Sequence, residues 1–207
     1  MTVKQLLNGV VGLLAMVFLL PVAAWAQEEA VSQDNGFEQG VFFFGGRLHD
    51  GNIGDNFAPF GVSFEDNFIV GGGFDRDVWS QTNGLAIGVE IGTALRFGES
   101  ASIELWGGPY LRYDGLIVSD ALRISPKIVG GISLVSDTIG SEAERAENTT
   151  DTDGRVLFYL TPEISISSLH RPELEYFWRG QHRSGGYGTL GSMFGANAVT
   201  FGMRYKF

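Results

Sequence analysis

The stretch Glu173–Ser184, ELEYFWRGQHRS, and the stretch that follows it after a glycine-rich loop, Asn197–Phe207, NAVTFGMRYKF, decide the fold. Successive side chains of a strand point to opposite faces. In the first stretch Leu174, Tyr176, Trp178, Gly180, His182 and Ser184 share one face, and Glu173, Glu175, Phe177, Arg179, Gln181 and Arg183 share the other. One face is apolar until its last two members; the other needs water or ion pairs. In the second stretch Asn197, Val199, Phe201, Met203, Tyr205 and Phe207 oppose Ala198, Thr200, Gly202, Arg204 and Lys206. Again a polar residue begins an otherwise apolar face.

The same alternation runs backwards along the chain. The clearest case is Gly84 to Phe97, where Leu85, Ile87, Val89, Ile91, Thr93, Leu95 and Phe97 alternate with small or charged residues, among them Glu90 and Arg96. Further strands are predicted at Val41 to Leu48, Asn67 to Val78, Ser102 to Tyr113, Lys127 to Ser136 and Arg155 to Ser167. Pro109 lies inside the fourth and predicts a bulge there. Around Asp50-Gly51-Asn52 and Asp55-Asn56 the ligand spacing of a calcium loop is incomplete, so a solvated loop is expected, with no metal. Asp137 to Asp153 is expected to be an acidic connection.

Eight strands of roughly ten residues, each with one apolar and one small or polar face, predict an all-β, eight-stranded antiparallel transmembrane β-barrel over residues 37–207. Hydrocarbon offers no hydrogen-bond partner to an open sheet edge, so the sheet must close. A barrel this narrow is filled by its own side chains. Asp75, Asp77, Glu90, Arg96, Glu104, Arg112, Glu163, Glu175, Arg179, Arg183 and Arg204 are expected to pair inside. A soluble lipocalin-like barrel would invert the faces. The terminal aromatic Phe207, the aromatics near strand ends and the N-terminal segment favour the membrane.

That segment, residues 1–26, carries Lys4, an apolar run and Ala24-Trp25-Ala26, the pattern of a secretory signal peptide. Residues 27–36 form a polar tail without periodicity. The 207 residues contain 30 glycines and no cysteine, and carry a formal charge of −10. Loss of Lys4 with the signal makes the remainder more acidic. An acidic exported chain is not a nucleic-acid binder, and its expected place is the outer membrane of a Gram-negative bacterium.

Periplasmic turns of such barrels are short and extracellular loops long. Ser168 to Pro172 is short and Gly185 to Ala196 longer, so the strand ending at Ser184 climbs outwards. His182, Ser184 and Asn197 therefore lie at the extracellular end on the lipid face, where polar groups are costly unless they sit at the interface or serve a function. His182 and Ser184, i and i+2, are about 6.6 Å apart along a strand, within reach of a base and its nucleophile. Asn197 on the neighbouring strand can orient the imidazole. Gly185 and Gly186 can turn backbone N–H groups towards an oxyanion. Of the other histidines, His170 belongs to the periplasmic turn. His49 ends the first strand on what reads as its interior parity, yet close to Asn197 once the first and last strands pair.

Gln181-His182-Arg183-Ser184-Gly185, Gly195-Ala196-Asn197 and Gly202-Met203-Arg204-Tyr205-Lys206-Phe207 resemble the C-terminal end of the PagL-type lipid A deacylase family. The resemblance implies an eight-stranded outer-membrane barrel that hydrolyses an ester-linked acyl chain of lipid A, with His182 as base and Ser184 as nucleophile. It also implies lipopolysaccharide and membrane lipids as partners, and no cofactor or metal. Two departures stand out. Gly185-Gly186 replaces the Asn-Ala that follows the serine in the family, and Asn197 stands near the position of its glutamate. Either Asn197 orients the histidine or a dyad operates. A non-catalytic barrel that binds lipopolysaccharide or stabilises the membrane is the alternative, and homodimerisation is left open.

Overall fold

The computed structural model describes residues 39–58, 61–118 and 121–207; the predicted signal peptide and tail lie outside them. The strands are β1 (Gln39–His49), β2 (Phe64–Ser80), β3 (Leu85–Phe97), β4 (Ala101–Tyr113), the three-residue β5 (Leu116–Val118), β6 (Leu122–Val135), β7 (Val156–Ser168), β8 (Arg171–Ser184) and β9 (Phe194–Lys206). The long strands pair antiparallel with their sequence neighbours. β4 pairs with β6, and β9 with β1, so eight long strands close on themselves and β5 only extends the rim beside β6. The ends of β1, β6 and β8 lead into the longer connections, residues 50–63, 136–155 and 185–193. That end is the extracellular one by the loop-length rule. A short helix, α1 (Ser141–Glu147), and a 3-10 helix (Ile53–Phe57) lie in two of these connections.

Alternation dictates the two surfaces. Ile91, Phe43 and Phe201 are 64%, 59% and 59% exposed and belong to an outer wall of aliphatic and aromatic groups. Inside, every charged residue predicted there is buried. Arg179 reaches Glu90 at 2.8 Å and Glu163 at 2.5 Å, while Arg204 reaches Asp75, Glu163 and Glu175 at 2.8, 2.8 and 2.9 Å. Arg112 meets Asp77 at 2.7 Å. Lys127 joins Asp75 and Glu90, and Lys206 joins Glu175. Phenylalanine, tryptophan and tyrosine rings interleave with these ions, with the Arg179 guanidinium 4.6 Å from the Phe42 ring centre. The rings fit because their direct cross-strand partners are glycines: Phe42 opposite Gly73, Trp106 opposite Gly92, Tyr110 opposite Gly88 and Phe177 opposite Gly202. In each pair a methyl group on the glycine would collide with the ring.

Two expectations need correction and one is extended. β4 carries no bulge at Pro109, because its pairing with β3 runs unbroken from Leu85↔Tyr113 to Phe97↔Ala101. The proline's missing N–H is accommodated on the other side, where Gly107↔Ile132 and Tyr110↔Val129 keep one register and the pairs between them are not made. The acidic connection after β6 does more than join two strands. Glu142 of α1 is fully buried and caps the lumen, bonding Arg96 at 2.5 Å and Arg183. Finally, His49 is not on the interior parity. Phe42, Phe44 and Leu48 of β1 face inwards, so Phe43 and His49 face outwards.

Candidate active site

Register places the site. His49 of β1 is the direct partner of Asn197 of β9, and Asn197 is the direct partner of His182 of β8. Directly paired residues share a face, so His182, Asn197 and His49 stand in a row across three strands, on the outer wall at the long-loop end. Ser184 lies two residues further along the same face, half-buried. There the register slips: His182 pairs with Asn197, but Ser184 pairs with Phe194. β9 thus carries one extra residue opposite Arg183, a bulge of the kind that re-aims side chains near functional sites.

The outer wall is roofed at this point. The 3-10 helix after β1 folds back over β8 and β9 instead of extending into solvent, which leaves His49 0% and Asn197 3% exposed. Gly180 makes room for it: a Cβ there would lie 2.5 Å from Cβ of Asn56. Phe57 packs on Trp178 with ring centres 5.4 Å apart, and Trp178 on Phe201 at 5.5 Å. At its start the roof is braced by Asn52 N–H donating to Asp55 Oδ2 at 2.7 Å. Arg145 of α1 donates to Asp50 O and to Gly195 O, both at 2.7 Å, and so ties the roof to the bulge of β9.

The hydrogen bonds around Asn197 have only one consistent direction. Asn197 Nδ2 donates to Gly51 O at 2.6 Å, and a carbonyl can only accept. The amide oxygen of Asn197 therefore faces His182, whose Nδ1 lies 2.7 Å away. Two acceptors cannot bond, so Nδ1 carries the proton and the Nε2 lone pair is left as a base. This is the tautomer a nucleophile's general base requires. Among the described residues no hydrogen bond joins Ser184 to His182; the pair share a face and a strand, with Leu160 and Phe158 opposite them on β7.

The connection after β8 turns back at once. Gly185 N–H donates to Met193 O at 2.9 Å, so it is already engaged. The chain then takes left-handed backbone at Gly186 (φ 61°) and Tyr187 (φ 55°), unusual for a tyrosine. Gly186 O accepts from Thr189 N–H, and no bond from Gly186 N–H occurs among the described residues. The loop is clasped from across the end of the barrel by Asp151, which accepts from Ser192 N–H at 3.0 Å and from its hydroxyl at 2.9 Å. These bonds hold the Asp151 carboxyl below the usual carboxylate range.

Sequence reasoning put His182, Ser184 and Asn197 on one outward face at the long-loop end, where the register has them, but did not anticipate Gly51 and Asn56 beside them or the outward direction of His49. The run Val41-Phe42-Phe43-Phe44 has no alternation, so the parity of β1 was not readable from it. Arg47 deepened the ambiguity: it shares the parity of His49, and a charge reads as interior, yet it lies part-exposed at the outer rim, paired with Asp66 at 2.8 Å.

No protein-family profile and no curated protein sequence matches the chain. Among solved structures it is similar to the outer-membrane enzyme PagL, with a TM-score of 0.54 at 14% identity over 81% of this chain and 97% of that one. It is also similar to the N-terminal β-barrel domain of Pseudomonas aeruginosa OprF (TM-score 0.46, 11% identity, 82% and 97% covered) and to the neisserial surface protein NspA (TM-score 0.46, 11% identity, 84% and 98% covered). At these identities the likeness is one of fold. The likeness to PagL, with the closed sheet and its apolar wall, makes this chain an eight-stranded antiparallel β-barrel of the outer-membrane type.

Proposed function

We propose that this barrel is an ester hydrolase that removes an ester-linked acyl chain from lipid A, as members of the PagL-type family do. The observation that carries the reading is the direction of the hydrogen bonds through Asn197. With its amide donated to Gly51 O, Asn197 can only accept from His182 Nδ1–H, which leaves Nε2 as the base beside Ser184. A polar row that serves only the interface has no need of one tautomer.

On this reading the lipid approaches sideways. Its acyl chains lie along the outer wall near Leu160, Phe158 and Phe194, which flank His182 and Ser184 on the neighbouring strands. Its sugar lies above, among the loops. The ester at the junction then meets Ser184. As Ser184 Oγ attacks the carbonyl carbon, His182 Nε2 takes the hydroxyl proton, and the imidazolium that forms is held through Nδ1–H by Asn197 Oδ1. His182 returns the proton to the sugar oxygen as the carbon–oxygen bond breaks. Water, activated by the same nitrogen, releases the fatty acid from Ser184. Contacts between nucleophile and base often tighten only with substrate bound. Of the two glycine N–H groups expected to hold the oxyanion, Gly185 N–H is bonded to Met193 O, so that role falls to Gly186 N–H.

Mass spectrometry of lipid A incubated with the reconstituted protein tests the proposal. Loss of one ester-linked acyl chain, absent with Ser184→Ala, is expected. Unchanged lipid A that nevertheless binds the barrel would favour the non-catalytic reading.

A further inference from the structure

The bonds that set the tautomer of His182 do not end at Gly51. Gly51 is held on both sides: its carbonyl, in the peptide group that leads to Asn52, accepts from Asn197 Nδ2 at 2.6 Å, and its N–H, in the peptide group that joins it to Asp50, donates to His49 Nδ1 at 3.1 Å. An N–H can only donate, so Nδ1 of His49 is an acceptor and its proton sits on Nε2. That nitrogen is 2.9 Å from Asn56 Oδ1, which accepts it. Asn56 Nδ2 in turn faces the carbonyl of Gln181 at 3.4 Å. The sequence of bonds thus begins and ends on β8. It leaves the backbone beside His182, runs through Asn56, His49, the backbone of Gly51 and Asn197, and returns to the His182 ring. The backbone groups at Gln181 and Gly51 fix the direction of every link. His49 and Asn56 are both 0% exposed, so no water competes for these bonds.

We propose that His49, seconded by Asn56, is a positioning residue for the hydrolysis: by anchoring the N–H of Gly51 it fixes the backbone whose next carbonyl orients Asn197, and Asn197 holds His182 in the Nδ1–H form. The inference rests on the hydrolase reading for its catalytic consequence, but the clamp itself has a readout that needs no substrate. His49 touches neither Ser184 nor the reacting ester. Its effect passes through the backbone of Gly51 and one side-chain amide, so its removal changes kcat rather than KM. Without the acceptor at Nδ1, the backbone at Gly51 loses its anchor, the Asn197 amide loses the fixed carbonyl it donates to, and both tautomers of His182 become populated.

The test uses full-length barrel reconstituted in lipid, with histidine-selective 15N labelling and NMR to read the His182 ring, and lipid A deacylation as the second measurement. The wild type is expected to show the Nδ1–H tautomer alone. His49→Ala is expected to show both tautomers and about a tenfold fall in kcat, as for loss of a partner that orients a functional histidine, with KM held. An asparagine at 49 carries its amide oxygen near the place of the imidazole Nδ1, whereas a glutamine carries its amide near the place of Nε2. His49→Asn should therefore restore the single tautomer and most of kcat, and His49→Gln should not. In an Asn197→Ala background His49→Ala should have no further effect, since the coupling runs through Asn197. Should His49→Ala fail to form a heat-modifiable barrel, the Asn and Gln variants carry the same comparison. A single unchanged tautomer in His49→Ala or His49→Gln would overturn the clamp. A wild type with the Nδ1–H tautomer but no deacylation would leave the clamp standing and remove the hydrolase reading instead.

Discussion

Replacing Ile91 by arginine measures how firmly the outer wall is committed to hydrocarbon. Ile91 is the middle residue of β3, is 64% exposed, and sits on the outer face with Phe74 and Gly107 as its cross-strand partners. Six residues separate it from either end of the strand, about 20 Å at 3.4 Å per residue. With a strand tilt near 40°, each interface is roughly 15 Å away along the normal. That exceeds the reach of an arginine, so the guanidinium cannot snorkel to water and the bilayer must deform around it. Charge at the midplane of a barrel's lipid face costs about 2–4 kcal/mol. With a denaturant dependence of about 2 kcal/mol per molar urea, the unfolding midpoint in bilayers should fall by roughly 1–2 M. Ile87→Arg, nearer the short-turn end of the same face, should lose about 1 kcal/mol or less. Heat-modifiable migration and urea titration in vesicles read both. An Ile91→Arg barrel as stable as wild type would refute the assignment of faces.

Three other perturbations probe the interior and the loops. Glu163→Gln removes the charge shared by Arg179 and Arg204 and should destabilise the barrel by about 3 kcal/mol, because two buried cations each lose one of their carboxylate partners; urea titration with no shift would contradict the pairing. The filled lumen should give no steady conductance in planar bilayers, and a persistent open-channel current would show that the ion pairs do not seal it. The clasp between Asp151 and Ser192 should be intact at neutral pH, since hydrogen bonding favours the charged carboxylate, and should be lost as pH falls through the lowered value. Pepsin cleavage at the exposed Tyr187 should then rise in acid. Asp151→Asn, which keeps one acceptor oxygen but no charge, should be cleaved faster than wild type at moderately acidic pH, and identical cleavage of the two would count against the clasp.

Much of the fold was legible because a strand lodged between lipid and a polar lumen must alternate strictly. β3 does so along its length, and β7 from Leu160 to Ser167. Legibility failed where that constraint lapses. β1 begins with apolar residues on both faces, since Phe42 and Phe44 fill the lumen while Phe43 meets lipid, and this hid the outward direction of His49. The short β5 pairs at the rim, where no alternation is imposed. Glu142 looked like one more acid in a polar loop, because its partners Arg96 and Arg183 stand 46 and 41 residues away. The same distinction holds at the candidate site. The row of His182 and Asn197 follows from parity and strand direction, which are local. The roof over it depends on a loop folding back 125 residues along the chain to place Asn56 against Gln181, and local pattern carries no record of that.

The most direct test of the hydrolase reading is a mass spectrum of lipid A taken before and after incubation with reconstituted wild-type barrel, and with folded Ser184→Ala, His182→Ala and Asn197→Ala barrels beside it. The account predicts loss of one ester-linked acyl chain with the wild type and none with the serine and histidine variants. It predicts a rate about 10–100-fold slower with Asn197→Ala, whose amide orients the base without touching the ester. An acyl chain still removed by Ser184→Ala, or lipid A left whole by the wild type, would contradict it.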